Sequence, residues 1–177
     1  MKQEKKLNPA QIQGKYLTFN LQSEYYGVSV KSILQIVGIN DTSITSIPRT
    51  PHYVTGVINL RGNIIPVIDL RLKLDLPPCE YTDKTSIVIN RLVIDNKELF
   101  MGIIVDKVIE VLDIHAPEID QTPAFGFDYD ISYIQGIAKV KNKVVSLIDI
   151  DEVLINSDID TRPPSVLKPN EAYALHA

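Results

Sequence analysis

The sequence predicts a mainly β protein made of two similar small barrels, about five short strands in each, packed against one another. Three observations lead there. Apolar runs alternate with polar residues and are closed by turn residues along most of the chain. The longest aliphatic runs, such as "SIVI" and "GIIV", have strand length. And the chain repeats itself: "GVINLRGNIIPVIDL", Gly56 to Leu70, matches "GIAKVKNKVVSLIDI", Gly136 to Ile150, position by position. Arg61 then stands opposite Lys141, and Asp69 opposite Asp149. A unit of this size is marginal alone, so the two are expected to share a core.

Residues 1–13 read as a flexible lead-in. "YLTFNL" alternates, with Leu17, Phe19 and Leu21 on one face, and "YYGVSV" alternates again through Tyr26, Val28 and Val30. With "QSE" between them they form a hairpin. "SILQIVGI" fits either a short helical turn or a strand; period alone does not separate these. A loop punctuated by Pro48 and Pro51 leads into "VINL" and "NIIPVIDL", β-branched runs broken by "RGN". Gly and Asn tolerate positive φ, which predicts a tight hairpin with Arg61 at or near its tip. Pro66 cannot donate to a ladder and is expected at an edge or a bulge. "RLKLDL" reads as a short closing helix, and residues 77–84 as a junction.

The order then recurs. "SIVINRLVI", the turn "DNKE" and "LFMGIIV" make a second hairpin, and "DKVIEVLDI" answers "KSILQIVGI". In register, Gly27 meets Gly102, Val30 meets Val105, Ile33 meets Val108, Leu34 meets Ile109 and Ile36 meets Val111. "YIQG" answers "YVTG", the second copy of the opening hairpin follows, and "DEVL" is helical. The barrel units are therefore placed at residues 14–76 and 85–155. The polar, proline-containing tail 156–177 is expected to be disordered. Segments 30–37 and 105–112 are apolar on both faces, more than one barrel interior can take. By default they are core; the excess marks them as lining a seam where a partner helix could dock.

Composition narrows the function. At 45% hydrophobic with 23% charged residues the chain is globular rather than disordered. A net charge of −4 supplies no basic face for phosphates, which argues against nucleic-acid binding. The single cysteine, Cys79, allows no internal disulfide. The stretch "MKQEKKLNPAQIQ" has charges but no apolar core of signal-peptide length, and no run approaches the roughly 20 apolar residues of a membrane span; the expectation is a soluble cytoplasmic protein.

Catalytic patterns are missing as well. The glycines are scattered, giving no phosphate-cradling loop. His52, His115 and His176 show no metal-ligand spacing, so no cofactor and no metal are expected. Cys79 sits in a Pro-Pro loop without an activating neighbour. Asp69 and Asp149 could be an acid/base pair, but each follows an apolar strand and precedes a helical segment, where Asp caps free N–H groups. A turn arginine such as Arg61 is ordinarily just solvated.

The stretches "YLTFNLQSEYYGVSVKSILQIV", "ITSIPRTPHYVTGVINLRGNIIPVIDLRLKL", "MGIIVDKVIEVLDI" and "YIQGIAKVKNKVVSLIDIDEVL" resemble the CheW family of chemotaxis coupling proteins. The resemblance spans residues 14–155, and its most specific part is Gly56–Arg71. It implies two five-stranded SH3-like barrels around a shared core, and a non-enzymatic adaptor that bridges transmembrane chemoreceptors to the histidine kinase CheA in arrays at the membrane. It implies a groove between barrels for the receptor's helical tip, lined here by Val30, Ile33 and Ile36 and by Val105, Val108 and Val111. Arg61 matches the family's hairpin arginine, associated with partner contact, and Gly56 a position tied to receptor coupling. Gln35 departs from the family, which often has Glu there; Glu110 keeps the acid in the second unit. The alternative is a tandem SH3-like module for another partner, such as RNA or a different signalling kinase.

Overall fold

The computed structural model describes residues 7–120 and 132–155. It is mainly β, with two sheets. The strands are β1 (Gly14–Leu21), β2 (Glu24–Ser29), β3 (Ile33–Gly38), β4 (Val54–Leu60), β5 (Asn63–Asp69), β6 (Ser86–Ile94), β7 (Lys97–Val105), β8 (Lys107–Ile114), β9 (Ile119–Asp120), β10 (Ile134–Val140) and β11 (Lys143–Ile148). Three short helices accompany them: α1 (Pro9–Ile12), α2 (Leu70–Lys73) and α3 (Ile150–Ile155). The ambiguous "SILQIVGI" is resolved as strand β3 after a 3-10 turn at Val30–Ser32.

The hairpins form where the turn residues place them. Arg61 and Gly62 have φ of 52° and 86°, and Lys141 and Asn142 have 51° and 62°, so both matched hairpins close through two-residue turns with positive φ. The Asn59 side chain accepts a hydrogen bond from the Gly62 N–H at 2.9 Å and steadies the tip. Asp69 caps α2, accepting from the Arg71 N–H at 3.0 Å, and Asp149 caps α3, accepting from the Asp151 N–H at 3.0 Å. The cap reading of both carboxylates therefore holds. Pro66 is on an interior strand rather than an edge. Its ladder partner Val57 turns its hydrogen bonds to Thr45 instead, and pairing of β5 with β7 begins only at Val67. The missing N–H thus falls where no partner needs it.

Two expectations are corrected by the topology. The lead-in is not wholly flexible: Asn8 and Gln11 form a reciprocal capping box on α1, and Ile12 is buried. Residues 1–6 and the tail 156–177 lie outside the described residues. More consequentially, the two sequence halves are not the two sheets. One sheet runs β8-β1-β2-β11-β10-β9 and the other β3-β6-β7-β5-β4. The first hairpin has joined the strands of the second half, and the hairpin β6–β7 those of the first. The exchange is sealed by two parallel pairs, β2 with β11 and β5 with β7.

This exchange explains strands that are apolar on both faces. Val67, Ile87, Ile89 and Ile104 pack inside the five-stranded sheet, and Tyr16, Leu112, Val145 and Leu147 inside the six-stranded one. Their neighbours of opposite pleat, among them Leu17, Phe19, Ile68, Val88, Ile103 and Ile148, meet in a central cluster between the sheets. Most strands, β9 and β10 excepted, feed one sheet's interior with one face and the shared core with the other.

Candidate functional site

The matched segments expected to line a groove are edge strands. β3 borders the five-stranded sheet and β8 the six-stranded one. Each carries a β-bulge at an equivalent place. The register steps from Ile33 to Gln35 on β3 and from Val108 to Glu110 on β8, leaving Leu34 and Ile109 as the extra residues. The bulge sets side-chain direction. Val30, Ile33 and Val108 are half-buried and pack against the central cluster, while Val37 leans on the interior of the five-stranded sheet. Ile36 and Val111 stay out in solvent, 43% and 53% exposed, on edges of different sheets. Val105 is fully buried in the central cluster and offers no surface to a partner.

Gly56 has a local structural cause. Its φ is 151°, and a Cβ placed on it would stand 2.1 Å from the Thr45 carbonyl oxygen, the residue that bridges to Val57. Only glycine lets β4 come that close.

Arg61 and Gln35 are brought together. They line a cavity of about 400 Å³ at the mouth of the five-stranded sheet, with Leu34, Leu60, Asn63, Ile65 and Phe100. Leu34 and Phe100 had no site signal in the sequence beyond their apolarity; the bulge that turns Leu34 outward, 55% exposed, is a tertiary feature.

A second cavity of about 330 Å³ lies at the seam, where the Val30–Ser32 turn crosses from one sheet to the other. Ser29, Lys31 and Ser32 line it opposite Arg91, Gln135 and Asp151. Burial first, then the neighbouring Asp149 and Glu152 charges, hold the Asp151 carboxyl above the ordinary carboxylate range. At the other crossing, β7 into β8, buried Arg71 forms an ion pair with Asp106, and Asp106 also accepts from the Gln22 N–H at 2.6 Å. In repeat register Asp106 answers Lys31 and Arg71 answers Asp151, so the charges are reversed between the two crossings.

No helix among the described residues is long and apolar enough to cross a membrane. Cys79 is exposed. Among the described residues no group of three or more His, Cys, Asp or Glu side chains could hold a metal.

Comparison with known proteins gives this geometry a family. The CheW-like domain family matches residues 15–157. The chain is 37% identical over 141 residues to the chemotaxis protein CheW of Bacillus subtilis, covering 79% of this chain and 86% of that one. It is 31% identical over 144 residues to CheW of Klebsiella aerogenes, covering 81% and 83%. The crystal structure of the scaffolding protein TtCheW from Thermoanaerobacter tengcongensis superimposes with a TM-score of 0.70 at 32% identity, covering 85% of this chain and 96% of that one. On these matches the chain belongs to the CheW family of chemotaxis scaffold proteins.

Proposed function

We propose that this chain is a non-enzymatic adaptor that couples transmembrane chemoreceptors to the histidine kinase CheA, promoting array assembly and receptor control of kinase activity. The observation that carries the reading, beside family membership, is one shared core bearing two equivalent but chemically different faces. The face with Arg61, Gln35 and Leu34 is matched in the repeat by the face with Lys141, Glu110 and Ile109. Two such faces on a shared core hold two partners at fixed separation, which raises the local concentration of one beside the other. The receptor's helical tip docks along β3, with Ile36 as an exposed apolar anchor and Gln35 beside it; Val111 extends apolar contact on the second edge. Arg61, a planar fork on a rigid turn, makes bidentate contacts with a partner's carboxylate or carbonyls. The protein works in the cytoplasm beneath the receptor array without inserting into the membrane, and binds no nucleic acid. A receptor movement changes kinase activity only through contacts that differ between receptor states.

The test is kinase autophosphorylation with purified CheA and a receptor signalling fragment, with and without this protein. Activity is expected to rise only when all three are present. If the protein binds neither partner in any combination, the coupling role is rejected.

A further inference from the structure

The two sheet mouths carry the same scaffold with different charge, and the difference points to a partner chemistry. In the six-stranded sheet, Lys141 reaches Glu110 at 3.6 Å and Lys143 reaches it at 4.0 Å. Lys143 also lies over the Tyr25 ring, 4.9 Å from its centroid. The charges of that mouth are compensated by its own side chains. In repeat register the corresponding residues of the five-stranded sheet are Arg61 for Lys141, Asn63 for Lys143, Gln35 for Glu110 and Phe100 for Tyr25. All four line the open 400 Å³ cavity. The acid is gone, one cation remains, and among the described residues no ion pair includes Arg61.

We propose that Gln35 is the specificity-determining residue of this mouth. By leaving Arg61 without an acid of its own, it makes the cavity a seat for an acidic side chain with an aliphatic neighbour, carried by the receptor's helical tip. The proposal rests on the coupling role given above. The guanidinium supplies two parallel donors to the incoming carboxylate. Leu34 and Phe100 offer apolar surface to the aliphatic neighbour. Glu110 shows what an acid at this position does: it pairs with the turn cation, Lys141, at 3.6 Å. An acid at position 35 would compete with the partner for Arg61.

The test compares wild type with Gln35→Glu and Gln35→Met in the full chain. Affinity is measured separately for the receptor signalling fragment and for CheA, at two salt concentrations. Gln35→Glu is expected to weaken receptor binding about tenfold and to flatten its salt dependence. Gln35→Met, uncharged and of similar length, is expected to lose clearly less receptor affinity than Gln35→Glu does, and both variants to bind CheA as wild type does. The carboxylate introduced by Gln35→Glu, followed by NMR, is expected to titrate below the ordinary glutamate range because Arg61 favours its charged form. Receptor affinity unchanged in Gln35→Glu, an equal loss in Gln35→Met, or an introduced carboxylate with an ordinary titration would each overturn the assignment of Gln35. Wild type that binds neither partner would instead reject the coupling role itself.

Discussion

At Gly56 the constraint is backbone against backbone, so the residue acts on folding before it acts on any partner. Gly56→Ala meets the Thr45 carbonyl and a φ that side chains rarely adopt, and it is expected to cost more than about 2 kcal/mol in denaturant unfolding. A loss of signalling in that variant with unchanged stability would show that Gly56 contacts a partner directly. Arg61 is the reverse case. Its side chain lies on an exposed tip, and Arg61→Ala is expected to change stability by less than about 0.5 kcal/mol, yet to weaken the ternary assembly with receptor and kinase. A large drop in melting temperature would make it a structural residue. Tyr16 shows a third kind of dependence. Its hydroxyl donates to the Ile12 carbonyl at 2.6 Å. Burial, with a smaller contribution from the Asp149 charge, pushes its pKa up from 10.0 to about 12. The folded state therefore keeps the proton longer than the unfolded chain does. The stability Tyr16 supplies is intact below pH 10 and is lost as pH rises toward 12. Tyr16→Phe is expected to flatten that alkaline limb in a pH series of unfolding curves; an unchanged slope would assign the limb to other groups.

Among the elements, the edge strands decide which groove variants are informative. Ile33 and Val108 lean on the central cluster, so an aspartate at either one mixes lost binding with lost stability. Ile36 is the cleaner probe. Ile36→Asp is expected to leave melting nearly unchanged and to weaken receptor binding by about tenfold while sparing CheA; equal loss of both partners would reject the assignment of β3 to the receptor. The same elements show what a sequence conveys and what it withholds. The hairpins at Arg61 and Lys141, and the caps at Asp69 and Asp149, are local, and local residues announce them. Helix α1 had a readable signal too, Asn8 ahead of a proline with Gln11 reaching back, hidden in a polar stretch. The bulges at Leu34 and Ile109 had none, because an apolar residue on either side of a bulge leaves the alternation ambiguous. For the same reason Val105 could be taken for a groove residue when it is core, and the cavity that joins Gln35 to Arg61 was out of sight. Alternation tells which face of a strand is buried; it does not tell which strand lies beside it.

That last point governs the whole molecule. The internal repeat is equally compatible with two self-contained barrels and with the exchanged pair observed, since matched hairpins satisfy either arrangement. In the exchanged form the halves cannot separate. Without the second half, β1 lacks β8 and β2 lacks β11; without the first, β6 lacks β3 and β7 lacks β5. The central cluster draws on both halves, and the buried pair Arg71–Asp106 spans them. Removing one partner of that pair, as in Asp106→Ala, strands a buried guanidinium and is expected to cost about 3–5 kcal/mol. Fragments 7–76 and 85–155 are each expected to show no cooperative thermal transition by circular dichroism when purified alone, and to regain one when mixed. The long-range pairings between the halves also predict slow folding of the intact chain. A cooperative melt from either fragment alone would show that a half can close its own barrel. The shared core, on which the proposed spacing of two partner faces depends, would then be an accessory rather than a condition of the fold.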